Sequence, residues 1–191
     1  MRMPLAKPPT LDEFLAWERR QELRYEFDGH RIVAMTGGTL DHATITENAI
    51  MALRARLKSP CRAFASNVKA LTATSVRYPD VVVTCSPVDG FSDTVPNPVV
   101  VFEVLSPSTA VTDRLVENEE YRHIASIQRY IMLEQSKVGA TVFARVGEVR
   151  ETWIGTVMLG DATIEMPEIG VAVTLAECYR DVDLPPPDTD D

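Results

Sequence analysis

Val99-Val100-Val101-Phe102-Glu103-Val104-Leu105-Ser106 is the stretch on which the reading of this chain turns. Three valines and a phenylalanine in succession favour a buried strand, because branched and aromatic side chains pack well on a pleated surface. Glu103 breaks the apolar run, and a carboxylate taken out of water is costly unless a charge or hydrogen-bond donors meet it. Side chains alternate along a strand, so Glu103 and Leu105 share one face while Val104 points to the other. A second acid stands at the start of another apolar run, Tyr78-Pro79-Asp80-Val81-Val82-Val83. Pro79 cannot donate to a sheet ladder and places Asp80 at a strand entrance. Two such acids converging make a site for a divalent cation. The plainer reading has Asp80 capping a turn and Glu103 pairing with an arginine such as Arg129.

The text on either side supplies the rest of the fold. Thr10-Leu11-Asp12-Glu13 has the form of a capping box and predicts a helix that ends near Arg20. Leu23 to Phe27 and Arg31 to Met35 alternate around Asp28-Gly29, a pair suited to a tight hairpin turn. Gly37-Gly38 then ends the second strand. Ile45, Ala49, Ala52, Leu53 and Leu57 recur at helical spacing and predict a long helix from Asp41 to Lys58. After Pro60 come strand-like pieces at Arg62 to Phe64, Val68 to Thr72, Asp80 to Thr84 and Pro98 to Leu105. A polar helix follows from Thr112 to His123, then a strand from Arg129 to Glu134. Val138 to Val146 and Val149 to Ile154 read as a hairpin around Gly147-Glu148, and Thr174 caps a short helix from Leu175 to Tyr179. The pattern is α/β, a mixed sheet flanked by helices in one layered domain over residues 1–180.

Composition narrows the function. The chain has 191 residues, 45% hydrophobic, with net charge −9. Asp181, Asp183, Asp188, Asp190 and Asp191 belong to a tail, residues 181–191, that also carries Pro185, Pro186 and Pro187. The tail reads as disordered, and without its five charges the body carries −4. Nucleic-acid affinity rests largely on basic contacts to phosphate, so any such contact on this body is local, with Arg54, Arg56, Lys58, Arg62 and Lys69 as candidates. No apolar stretch approaches a bilayer span and the N-terminus lacks a signal-peptide core, so a cytoplasmic protein without membrane contact is expected. Cys61, Cys85 and Cys178 are odd in number and widely spaced, which predicts reduced core thiols.

Magnesium favours hard oxygen ligands and retains several waters, so Asp80, Glu103 and the carbonyl of Val104 form a sufficient set beside a phosphate. Such a metal lowers the pKa of a bound water and neutralises charge on phosphoryl oxygens. Pro79-Asp80, Glu103-Val104-Leu105-Ser106-Pro107-Ser108-Thr109, Asp113-Arg114, Tyr121-Arg122 and Arg129-Tyr130 together resemble the Uma-type restriction endonucleases, a branch of the PD-(D/E)XK nuclease superfamily. The resemblance begins at Arg24-Tyr25-Glu26 with Asp28-Gly29 and passes through His42. It implies a restriction-endonuclease-like core, usually dimeric, with a site that cleaves DNA using Mg2+ or Mn2+. In that superfamily a lysine lies two residues after the second acid. Here Leu105 occupies that position, and the matching position on the next helix is Glu117.

Glu117 as an added metal ligand, or Lys69 or Arg114 as a replacement cation, would complete the site. Glu26 is a further candidate acid, and His42 and Tyr121 are candidates for contact with phosphate. The plainer alternatives are an exposed strand face for Glu26, a capping role for His42, a solvated helix face for Glu117, core packing for Tyr121 and a stem laid over the sheet for Lys69. Two functions stay open at this level: a metal-dependent DNA endonuclease acting as a homodimer, and a non-catalytic nucleic-acid-binding or assembly module that keeps the fold.

Overall fold

The computed structural model describes residues 7–35, 37–105, 112–147 and 152–184, with the side chains of 112–117 excepted. Helix α1 (Leu11–Glu18) opens with the full capping box, in which Thr10 and Glu13 each accept from the other's backbone N–H. Strands β1 (Tyr25–Phe27) and β2 (Ile32–Ala34) form the hairpin, and Gly29 takes a φ of +84° at its turn. Helix α2 (Leu40–Arg56) is capped by Thr39. Strands β3 (Arg62–Ala65), β4 (Ala70–Leu71), β5 (Val76–Arg77), β6 (Val81–Thr84) and β7 (Pro98–Leu105) follow. Helix α3 (Thr112–His123) crosses to β8 (Arg129–Glu134), which lies parallel to β7. The chain continues through β9 (Gly139–Arg145), β10 (Trp153–Leu159), β11 (Thr163–Met166), β12 (Val171–Thr174) and α4 (Leu175–Cys178).

Six strands form the main sheet in the order β10-β9-β8-β7-β6-β3, mixed because β7 and β8 run parallel and the other pairs antiparallel. Alternation along β7 divides its residues between two cores. Val100, Phe102 and Val104 face Ile45, Ala49 and Leu53 of α2. Val101 and Leu105 face Tyr121, Tyr130 and Met132 on the α3 side. On that side an aromatic ladder crosses the sheet, with ring centroids 5.0 Å apart for Tyr121–Tyr130, 6.3 Å for Tyr130–Phe143 and 6.5 Å for Phe143–Trp153. A smaller sheet, β2-β1-β5-β4, packs on α1 through Phe14, Phe27, Val76 and Tyr78.

The structure corrects several expectations. The second strand of the late hairpin runs from Trp153 to Leu159, past the end expected at Ile154, and the start expected at Val149 lies outside the described residues. The piece expected at Val68 to Thr72 shrinks to Ala70–Leu71, while β5 and the β11–β12 hairpin have no counterpart in the sequence reading. Of the acidic tail, residues 185–191 lie outside the described residues.

Cys61 and Cys85 are joined as a disulfide, contrary to the reduced thiols expected, and Cys178 alone remains a free, buried thiol. The reason is register: β3 and β6 pair antiparallel with Arg62 opposite Thr84, so one further step sets Cys61 against Cys85. The bond closes a sequence separation of 24 residues, for which lost unfolded-chain entropy is worth about 3 kcal/mol. Oxidised protein should therefore melt roughly 6–12 °C above protein held in reductant, as read by calorimetry. Equal melting temperatures would remove the bond's stabilising role.

Candidate active site

The antiparallel register of β6 and β7 brings the two acids together. Val81 stands opposite Phe102, so the next step places Asp80 opposite Glu103. Each carboxylate then accepts from the other strand's backbone: Val104 N–H donates to Asp80 Oδ2 at 2.8 Å, and Asp80 N–H donates to Glu103 Oε2 at 3.3 Å. This reciprocal clasp fixes the two carboxylates at one sheet end. His42, in the first turn of α2, sets Nε2 3.1 Å from Asp80 Oδ2. Tyr121, fully buried on α3, donates its hydroxyl to Glu103 Oε1 at 2.7 Å.

Pro79 explains why Val104 turns to a side chain. Asp80 carbonyl accepts from Ser66 N–H on the β3 side, so by alternation Val81 and residue 79 direct their backbone groups toward β7. Continuing the register sets Pro79 across from Val104, and proline has no N–H to give the Val104 carbonyl. The donor set at this corner is thus two carboxylates and one main-chain carbonyl relieved of its ladder donor. That is the hard-oxygen chemistry that suits Mg2+ or Mn2+. Among the described residues no group of three or more His, Cys, Asp or Glu side chains has the placement of a metal cluster, so water would have to fill the remaining positions.

Glu26 lies beside the corner and is held away from it. Its Oε1 accepts from Tyr78 N–H at 2.9 Å and its Oε2 from Arg77 Nη1 at 3.1 Å, while Arg77 Nε reaches Glu120 on α3 at 2.6 Å. Burial raises the Glu26 carboxyl above the ordinary range, and the Arg77 charge and the Tyr78 N–H pull it partly back. Glu26 anchors Tyr78, two residues before Asp80, and its contacts are with Arg77 and the backbone.

Lys69 does not meet the acids. Its Nζ lies 2.8 Å from Glu18 Oε2 and 2.7 Å from Asp93 Oδ2, with the lysine side chain 3% exposed. Glu18 also accepts the Tyr78 hydroxyl at 2.5 Å, which together with burial raises that phenol. Arg129 likewise pairs with Glu168 through both guanidinium and carboxylate ends, so it is not the partner of Glu103 considered from the sequence. Leu105 is buried among the aromatics of the α3 side. The side chains of Arg114 and Glu117 lie outside the described residues.

Glu18, Asp93, Arg77 and Glu120 escaped the sequence reading. One signal was available: Arg77 stands in the strand-like text Val76-Arg77-Tyr78 directly before Pro79-Asp80, where a charge asks for partners as much as Glu103 does.

The His42–Asp80 pair makes stability depend on pH. The hydrogen bond to Asp80, aided by its charge and opposed by burial, raises the His42 imidazole above its usual value. Charged histidine is therefore favoured more in the folded than in the unfolded chain. Its contribution is complete below about pH 6.5 and fades as pH rises through the higher folded value. His42→Gln should flatten the fall in metal-free melting temperature across that window; an unchanged slope would assign the fall to other groups.

The family model described as "Putative restriction endonuclease", Uma2, matches residues 11–176. The chain belongs to the Uma2 family. That span includes every member of the clasp. Among curated proteins, the Uma2 chain is 30% identical over 183 residues to slr1290 of Synechocystis sp., described as uncharacterized, covering 93% of this chain and 95% of that protein. It is 27% identical to the Synechocystis protein sll1609, also described as uncharacterized, over 80% of this chain and 88% of that one. Among solved structures, a chain from Anabaena variabilis described as a putative nuclease belonging to DUF820 superposes with a TM-score of 0.71. It covers 90% of this chain and 98% of its own at 19% identity. The likeness fixes the fold: a mixed sheet flanked by helices, as in that structure. No helix among the described residues is long and apolar enough to cross a membrane.

Proposed function

We propose that this Uma2 protein is a DNA endonuclease that uses Mg2+ or Mn2+, with Asp80, Glu103 and the Val104 carbonyl as the protein's ligands, acting as a homodimer in the cytoplasm. The observation that carries the proposal is the clasp, in which backbone N–H groups of β6 and β7 align the two strand-end acids. The metal would supply an acidified water and neutralise developing charge on the phosphate. Tyr121 fixes the Glu103 carboxylate through Oε1, and α2 presents His42 to Asp80. His42, whose Nε2 lies 3.1 Å from Asp80 Oδ2, would when protonated set a positive charge beside Asp80, the role that Lys69 was expected to fill. Glu26 and Arg77 brace the Tyr78-Pro79-Asp80 approach through the Tyr78 N–H. The family's description and the Anabaena structure, described as a putative nuclease, support the same activity.

Single-stranded, duplex and branched DNA incubated with the protein in Mg2+, in Mn2+ and in chelator tests the proposal. Cleavage in either metal and none in chelator is expected. A second reading keeps the fold as a non-catalytic nucleic-acid-binding or assembly module, and it is favoured by Leu105 in the lysine position together with the engagement of Lys69 elsewhere. DNA retention without cleavage in any metal would decide for it.

A further inference from the structure

The six-stranded sheet ends at β10, and among the described residues no strand lies beyond it. Sheet edges are ordinarily blunted by charges, prolines, bulges or short length. The opposite edge, β3, follows that rule, with four residues and an exposed Arg62. β10 does not: Trp153-Ile154-Gly155-Thr156-Val157-Met158-Leu159 has no ionisable residue and no proline, and pairs with β9 in unbroken register over all seven residues. Ile154, Val157 and Leu159 are 53%, 69% and 56% exposed.

We propose that β10 pairs antiparallel with β10 of a second copy of this chain, about a two-fold axis at Thr156. This names the surface of the homodimer proposed above and stands independently of the cleavage chemistry. The charge pattern selects the occupant. Each copy carries −9, and an uncharged strip is where two acidic bodies approach with least repulsion. A basic foreign partner would call for carboxylates, which β10 lacks. The chain's own tail is a poor occupant, because Pro185, Pro186 and Pro187 have no N–H to give a ladder.

The two-fold register is also sterically consistent. It sets Trp153 opposite Leu159 of the partner subunit and Gly155 opposite Val157 of the partner subunit, on one face of the joined sheet. Gly155 already lies against the Phe143 ring, where a Cβ would come within 2.8 Å of a ring carbon. The bare glycine therefore lets the Phe143 ring lie over β10, where the partner's Val157 would meet the ring, and the aromatic ladder would continue into the second subunit as an apolar stripe.

Sedimentation velocity of the full chain across a wide concentration range should give twice the 21.2 kDa chain mass. Val157→Lys and Ile154→Lys, on opposite faces, should give monomers with unchanged circular dichroism, whereas Met51→Lys, an exposed control on α2, should leave the dimer intact. Thr156→Cys should cross-link to its own copy on mild oxidation, and this decides the matter should a lysine variant misfold. A monomeric wild type, a dimer surviving both lysine substitutions, or a dimer in which Thr156→Cys does not cross-link overturns the proposal. Cleavage assays on the same samples are read separately: a β10 dimer without nuclease activity sinks only the endonuclease reading, and an active monomer sinks the dimer while leaving the cleavage chemistry standing.

Discussion

DNA cleavage by Asp80→Asn and by Glu103→Gln is expected to fall by about 100-fold or more in Mg2+, with the metal-free melting temperature unchanged or raised for Glu103→Gln, and for Asp80→Asn at a pH high enough that His42 is neutral. The magnitude follows from the metal's role, since even outer partners of metal ligands cost about 10–100-fold when removed. The opposite sign for stability follows from the clasp. An amide at position 80 can still accept from Val104 N–H, and one at position 103 can accept from Asp80 N–H through its single oxygen while its NH2 donates to the Tyr121 hydroxyl oxygen. What disappears is negative charge, and with it both the repulsion between the acids and their affinity for a divalent cation. Calorimetric titration of Mn2+ into both variants should show binding lost in parallel with cleavage. Wild-type cleavage retained by either amide variant would remove that acid from the site.

Lys69→Met should lower stability by about 3–5 kcal/mol, the range observed when one partner of a buried ion pair is removed. For a chain of this length that is a fall of roughly 10 °C in melting temperature. Glu18 is left 5% exposed without its ammonium, while Asp93, at 58% exposed, can turn to water and adds little. The double variant Lys69→Met with Glu18→Gln should recover much of the loss, because the stranded charge is gone. The same pair separates structure from chemistry. Activity per folded molecule should be unchanged in the double variant, and a loss of cleavage without a loss of stability would return Lys69 to the active site.

β7, α3 and β8 lie where the sequence puts them, because Pro, Ser and Thr residues bound β7 and precede α3, and β8 is a nearly continuous apolar run. The acid pair was legible for the same reason: Pro79 marks a strand entrance, and Glu103 stands out against valine. The β11–β12 hairpin was not, since strands of four residues on either side of Pro167 carry too little alternation to be told from a loop. The disulfide was hidden because it depends on which strand lies beside which, and spacing along the chain does not reveal that. Lys69 misled for a similar reason. It was read as part of a strand but lies in an isolated bridge with Thr94 just before β4, and Glu18 comes from a helix far earlier in the chain; the sequence does not say which acid a buried lysine will meet. Asp80 and Glu103 meet through the β6–β7 register itself, whereas Lys69 takes its partners from other parts of the fold.

The aromatic ladder also has an optical consequence. The chain has two tryptophans, and the fold places them in different layers. Trp17 lies in the small sheet's cluster, 4.8 Å from the Tyr25 ring. Trp153 ends the ladder, half-buried, with the Arg145 guanidinium 5.1 Å from its ring centroid. Tyr121, Tyr130 and Trp153 are thus close enough for excitation absorbed beside Glu103 to be emitted at β10. The protein carries its own fluorophores, one for each layer, and the emission of Trp153 is an unlabelled readout of whatever covers the outer edge of the main sheet.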